Sequence, residues 1–206
     1  MEIKILAICD DFYHHGEIIK EGLAFLADEC QITFAGDAAG ELCQYDAVIL
    51  AKDDQISKSN RDSWLTEDAE KRLAEYAAAG GGLIFLHAGC VLCKKSQLLE
   101  SIAGCKFISH PEQCVVDFTM PAPHAITDGA KEFSEMDEHY FIDFSATDAD
   151  IFLEGKSPSG AQPAGYARTH GGGRVCVLTP GHNLSVFFNG EYQKIITNAV
   201  HWCAKK

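Results

Sequence analysis

The sequence carries nine histidines, and three of them stand directly behind apolar runs. His14, with His15 beside it, lies in Asp10-Asp11-Phe12-Tyr13-His14-His15-Gly16 after the run Ile3 to Cys9. His87 ends Leu83-Ile84-Phe85-Leu86, and His182 follows Val175 to Leu178 through Thr179-Pro180-Gly181. Neutral imidazole is a common ligand of divalent metals, and the same ring exchanges protons near neutral pH, so a convergent set supports metal binding or acid–base catalysis. Carboxylates that could orient a histidine, complete a metal site or hold a hydroxyl are Asp137 and Glu138, in Met136-Asp137-Glu138-His139-Tyr140, and Asp10 or Asp11. On their own residues, Asp137 and Glu138 read equally well as a turn or helix-start pair, while Tyr166 and Arg168 read better as packing or surface residues than as site residues.

Ligands of open α/β sheets bind beyond the carboxyl ends of the strands, so the histidines matter most if the runs before them are strands. Ile3 to Cys9 (apart from Lys4), Ile32 to Ala35 (apart from Thr33), Ala47 to Ala51 and Leu83 to Leu86 are short apolar runs, as expected of strands buried on both faces. Between them, Ile18, Ile19, Leu23 and Leu26 recur at helical spacing. Thr66 caps a helix with Glu67, Asp68 and Glu70 in its first turn, which ends at Gly80-Gly81-Gly82. Later strands are expected at Cys114 to Thr119, Ile151 to Leu153, Gly165 to Thr169 and Arg174 to Leu178, the last two around the turn His170-Gly171-Gly172-Gly173. A closing helix spans about Glu191 to Cys203. The alternation predicts an α/β fold with a doubly wound, mostly parallel sheet and helices on both faces, as one domain over residues 1–206.

The 206 residues carry a net charge of −13 with 47% hydrophobic side chains. That is enough chain to bury a core without a metal or disulfide staple, and the acidity disfavours nucleic acid and membrane surfaces as partners. A small molecule is the expected partner, with a second copy of the chain left open. The first residues carry too short an apolar stretch for a leader peptide, which predicts a cytoplasmic protein. Cys9, Cys30, Cys43, Cys176 and Cys203 lie in apolar segments and are expected to be reduced core residues. Cys90 and Cys93 have metal or redox spacing, but Cys105 and Cys114 do not supply the second close pair of a structural zinc site. Gly155-Lys156-Ser157 has Asp150 where a phosphate loop needs glycine, so no nucleotide cofactor is expected. Phe187, Phe188 and Trp202 are assigned to the core.

Several pieces, weak singly but specific in their order, resemble the ThuA-like (trehalose-utilisation) family, whose fold is similar to class I glutamine amidotransferases. They are Phe12-Tyr13-His14, Ala79-Gly80-Gly81-Gly82 running into Leu86-His87-Ala88, Ser109-His110-Pro111, His124-Ala125-Ile126-Thr127-Asp128-Gly129, Asp137-Glu138-His139-Tyr140, Gly172-Gly173-Arg174-Val175 and Gly181-His182. The resemblance covers nearly the whole chain. It implies a flavodoxin-like sheet and a role in carbohydrate metabolism: hydrolysis or isomerisation of a di- or oligosaccharide derivative, a keto-sugar among the candidates, or sugar binding and sensing without turnover. It places His14, His87, His110, Glu138, Tyr140 and His182 in a shared pocket. On that basis His87, Glu138 and His182 are the expected catalytic residues, and His14, His110, Asp137, Tyr140 and Arg168 the expected substrate contacts. His14, His87 and His182 are the candidate ligands of a divalent metal such as zinc. The related amidotransferases carry a nucleophilic cysteine on a sharp strand-to-helix turn, where this chain has His87. A displaced nucleophile at Cys90, and with it a cysteine-dependent amidohydrolase, is the remaining alternative.

Overall fold

The computed structural model describes residues 2–57, 59–60, 62–92 and 96–206; Cys93, and with it the Cys90–Cys93 spacing, lies outside them. The apolar runs form β1 (Ile3–Cys9), β2 (Cys30–Ala35), β3 (Ala47–Ala51) and β4 (Gly82–Leu86). They pair in parallel in the order β2-β1-β3-β4, and β11 (Gly173–Leu178) adds a further parallel strand beside β4. Side chains alternate across this sheet and so feed two cores. Ile3, Ile5, Ala7 and Cys9 of β1 pack toward α1 (Gly16–Gly22), α4 (Leu184–Phe188) and α5 (Gly190–Ala204), whereas Leu6 and Ile8 pack toward α2 (Glu67–Ala78) and α3 (Gln97–Ala103). The α/β class with helices on both faces is thus present.

Beyond β11 the sheet turns antiparallel through β10 (Gly160–His170), β9 (Asp150–Ser157), β6 (Cys114–Thr119) and β7 (Phe133–Asp137), which completes nine strands in one mixed sheet. A separate two-stranded ribbon pairs β5 (Cys105–Ser109) with β8 (Phe141–Phe144). Among the described residues no helix is long and apolar enough to cross a membrane.

Local chemistry sets the helix ends. The Thr66 side chain accepts the Ala69 N–H at the start of α2, and Asn189 does the same for Glu191 and Tyr192 at the start of α5. Helix α3 has no side-chain cap of its own. Instead Glu70, buried on α2, accepts the N–H groups of Leu98 and Leu99 with one carboxylate oxygen. Glu70→Ala leaves two first-turn donors unpaired and is expected to cost about 1–3 kcal/mol in urea unfolding, with Glu70→Gln closer to wild type. A change under about 0.5 kcal/mol would mean that water replaces the cap.

Two side chains depart from the core assignment. Cys43 is exposed within a single 3-10 turn, Leu42–Gln44, and Phe188 is 56% exposed although its neighbour Phe187 is fully buried. Helix α4 is too short to turn both phenylalanines inward.

Candidate active site

Strand β4 ends at Leu86 and the chain turns at once into a 3-10 segment, His87–Cys90. His87 takes φ of 44°, a left-handed conformation costly for a residue with a Cβ. Gly89 follows because a Cβ there would collide with the carbonyl oxygen of Leu50 on β3. Inside this turn the His87 Nδ1–H donates to the Thr179 carbonyl at 2.8 Å, which fixes the tautomer and leaves Nε2 as an acceptor. That Nε2 is buried and has no hydrogen-bond partner. Burial also holds the His87 pKa below its ordinary value, against the pull of Glu138, so the ring is neutral.

His14 is positioned by the loop after β1. The Asp11 Oδ1 accepts the N–H groups of Tyr13 and His14, and the same carboxylate takes the His14 Nδ1 at 3.0 Å, leaving the far nitrogen for the cavity. Against the upward push of burial, the bond and charge of His14 and the N–H of Asp53 hold Asp11 below its ordinary range.

The third contribution comes from the antiparallel half, where β7 ends at Asp137. Asp137 is wholly buried and accepts the N–H groups of Gly181 at 2.8 Å and His182 at 2.9 Å, so it shapes the loop after β11. The expected substrate contact at Asp137 is therefore corrected: both carboxylate oxygens are spent on backbone, and Asp137 does not line the cavity that the histidines face. Glu138, next in the chain, does reach it. Its Oε2 lies 3.2 Å from the His182 Nδ1 and 3.6 Å from the His87 Nε2, and its Oε1 lies 3.6 Å from the His110 Nε2. Against the upward push of burial, His182 and His87 hold the Glu138 carboxyl well below the usual carboxylate range, and Glu138 in turn raises His182. Tyr140 stacks over His87 at 4.2 Å between ring centroids and meets Phe107 at 4.6 Å.

One ligand atom each from His14, His87, His182 and Glu138 lie within 4.8 Å of one another. The set fits a divalent ion of the zinc type: three imidazoles and a carboxylate, two of the rings already oriented from behind by Asp11 and by the Thr179 carbonyl, and a buried nitrogen otherwise unpartnered. The cavity in front of them, about 290 Å³, is lined also by Tyr13, Asp53, Gln55, Phe107, His110 and Tyr140. Of the expected site residues, Arg168 stands apart. Its Nη1 donates to the Ser101 carbonyl and its Nη2 pairs with Asp148, so it clips β10 to α3 rather than meeting a ligand, and Tyr166 is likewise buried with its hydroxyl on the Ala103 carbonyl. Cys90 is buried, and the hydrogen bond it shares with Cys105, with burial, pushes its thiol well above the ordinary range, which suits a packed thiol and not a nucleophile.

Asp53, Gln55 and Phe107 escaped the sequence reading. Asp53 had the same signal as the histidines, a polar residue just past the apolar run that becomes β3. Burial first, then Asp54 and Asp11, pushes the Asp53 carboxyl up to about 6 against the N–H of Gln55. In the unfolded chain the group titrates near ~3.9. The folded protein therefore holds the extra proton between those values, and Asp53 lowers stability as pH rises through that window, by up to about 3 kcal/mol at pH 7. Asp53→Asn keeps the acceptor for Gln55, so it is expected to raise Tm by roughly 5–10 °C at pH 7 and to change it little near pH 4. Equal melting at pH 7 would refute this.

The profile of the family described as trehalose utilisation, ThuA, matches residues 12–203. The chain belongs to the ThuA family. Its fold is shared by ThuA-like proteins of known structure from Parabacteroides merdae (TM-score 0.80, 18% identity, 99% of this chain and 90% of that one) and Bacteroides uniformis (TM-score 0.77, 17% identity, 98% and 91%). A β-galactosidase from Rahnella sp. R3 contains the same fold over 32% of its length, at TM-score 0.72 and 15% identity, with all of this chain covered. No curated protein is a significant sequence match. Membership of the ThuA family carries a carbohydrate-related role, and the amidotransferase-like architecture puts His87 at the turn after β4.

Proposed function

We propose that this ThuA-family protein is an enzyme of carbohydrate metabolism that hydrolyses or isomerises a di- or oligosaccharide derivative, a keto-sugar among the candidates, at a divalent metal held by His14, His87, His182 and Glu138. The observation that carries the reading is the buried Nε2 of His87, pinned by its other nitrogen, unpartnered, and aimed at the same point as three further donors. When bound, such an ion polarises a carbonyl or hydroxyl oxygen and lowers the pKa of a coordinated water. The chain's own groups do the rest. Tyr140 and Phe107 shield the histidines on one side, keeping water from His87. His110 stands at the more open end, its Nδ1 bound to the Pro111 carbonyl, so that its Nε2 can take or return a substrate proton beside Glu138. The partner is a small sugar, and neither nucleic acid nor membrane is required.

The test is turnover of trehalose, other disaccharides and their keto derivatives by zinc-reconstituted protein, followed by NMR, beside chelator-treated protein and His182→Ala. Turnover lost in both supports the reading. Saturable sugar binding with no turnover under any metal would replace it with a binding or sensing role, and inactivation by thiol alkylation that Cys90→Ser escapes would replace it with cysteine chemistry.

A further inference from the structure

The cavity has a second polar wall that the metal-binding reading leaves unused. Strand β3 lies between β1 and β4, so the chain leaving it at Asp53 runs between the loop that bears His14 and the turn that bears His87. This segment is fastened on every side. The Asp53 N–H donates to Asp11 Oδ2, its carbonyl accepts the Trp64 indole N–H, and Asp54 exchanges backbone bonds with Val91 and Trp64. Lys52, the nearest cation in sequence, is turned away, bonded to the Gly36 carbonyl and lying over the Trp64 ring.

Held in this way, the buried Asp53 carboxylate accepts the Gln55 N–H at 2.9 Å and meets the Gln55 side-chain amide at 3.3 Å, and both residues line the cavity. A carboxylate has about four acceptor directions, and an amide offers both a donor and an acceptor, so the pair retains unused capacity toward the ligand. Tyr13, Phe107 and Tyr140, in the same cavity, supply flat apolar surfaces. Adjacent ring hydroxyls, each a donor and an acceptor, above an apolar C–H face are the chemistry that such a combination recognises.

We infer that Asp53 and Gln55 form a hydroxyl-reading subsite that positions a non-reacting part of a sugar against the metal-binding histidines. The inference rests on the carbohydrate reading above and adds to it a specificity determinant that takes no part in holding the ion.

The measurement is calorimetric binding of trehalose, and of trehalose analogues each lacking one hydroxyl, to the zinc-reconstituted full chain and to Asp53→Asn and Gln55→Ala. Asp53→Asn is expected to weaken trehalose at least tenfold, about 1.4 kcal/mol, with zinc content unchanged. At least one deoxy analogue should bind wild type more weakly than trehalose does, while Asp53→Asn no longer distinguishes the two. Gln55→Ala, at a partly exposed side chain, should lose roughly fivefold and gives a separate reading if the first variant does not fold. Trehalose bound equally by wild type and both variants would overturn the subsite while leaving the carbohydrate reading in place. A zinc-loaded wild type that binds neither trehalose nor any of the other disaccharides and keto derivatives tried for turnover would overturn both.

Discussion

Protein reconstituted with zinc is expected to retain about one equivalent through gel filtration, and His87→Ala to retain none, with an affinity lower by at least about a hundredfold. The size of the effect follows from preorganisation. His87 is already neutral and its ring is fixed through Nδ1, so wild type spends little to present Nε2, and the variant loses a donor that no neighbour can replace. His182 behaves differently, because Glu138 raises its pKa and the ion must displace that proton. Zinc affinity should accordingly fall as pH drops through the raised titration range of His182, with proton release measurable by calorimetry in buffers of different ionisation enthalpy. Saturating zinc, at about a hundred times Kd, adds ~2.7 kcal/mol, or roughly 5–10 °C in Tm. His201→Ala, a surface histidine paired with Glu29, is the control and should keep its zinc. Retention of a full equivalent by a folded His87→Ala would refute the metal centre.

Asp137→Ala should be the most destabilising single change at the site. The carboxylate is the acceptor for two N–H groups, the buried one of Gly181 and the part-buried one of His182, and each donor left unpaired costs about 1–3 kcal/mol, so a loss of ~3 kcal/mol is expected in urea unfolding. Asp137→Asn retains one acceptor and should lose about half as much. Because the same bonds aim His182, zinc affinity in Asp137→Ala should also drop by ten- to a hundredfold, roughly the range seen for groups that support a ligand from behind. A cost below about 1 kcal/mol with zinc binding intact would show that the loop after β11 needs no anchor.

The inner strands of the parallel half were legible because they are buried on both faces and therefore spell continuous apolar runs, as in Ala47–Ala51 and Gly82–Leu86. The elements that went unread have no such signature. In β7, Phe133 and Asp137 are buried while Ser134 and Met136 face solvent, and β8 is only four residues, so each resembles loop until its partner strand is known. The histidines were readable as a set because each follows a strand; Glu138 stood beside them as a candidate carboxylate, equally readable as a turn residue, and the family resemblance put it in the pocket. Asp137 and Arg168 were misassigned for a shared reason. A sequence shows which polar side chain stands near a strand end but not whether it is already consumed by backbone, as Asp137 is by Gly181 and His182 and Arg168 is by Ser101.

The position of β11 has a consequence for how the chain comes into being. This strand, drawn from residues near the C-terminal end, is wedged between β4 and the antiparallel half, parallel to one neighbour and antiparallel to the other. During synthesis, β4 is complete long before its outer neighbour leaves the ribosome. Until Gly173–Leu178 arrives, a fully apolar strand presents a bare row of backbone donors and acceptors, the feature that invites association with another chain. Residues 173–178 thus act as a seal on the nascent protein, and the proposed metal ligands before and after them, His87 and His182, come together only once that seal is in place.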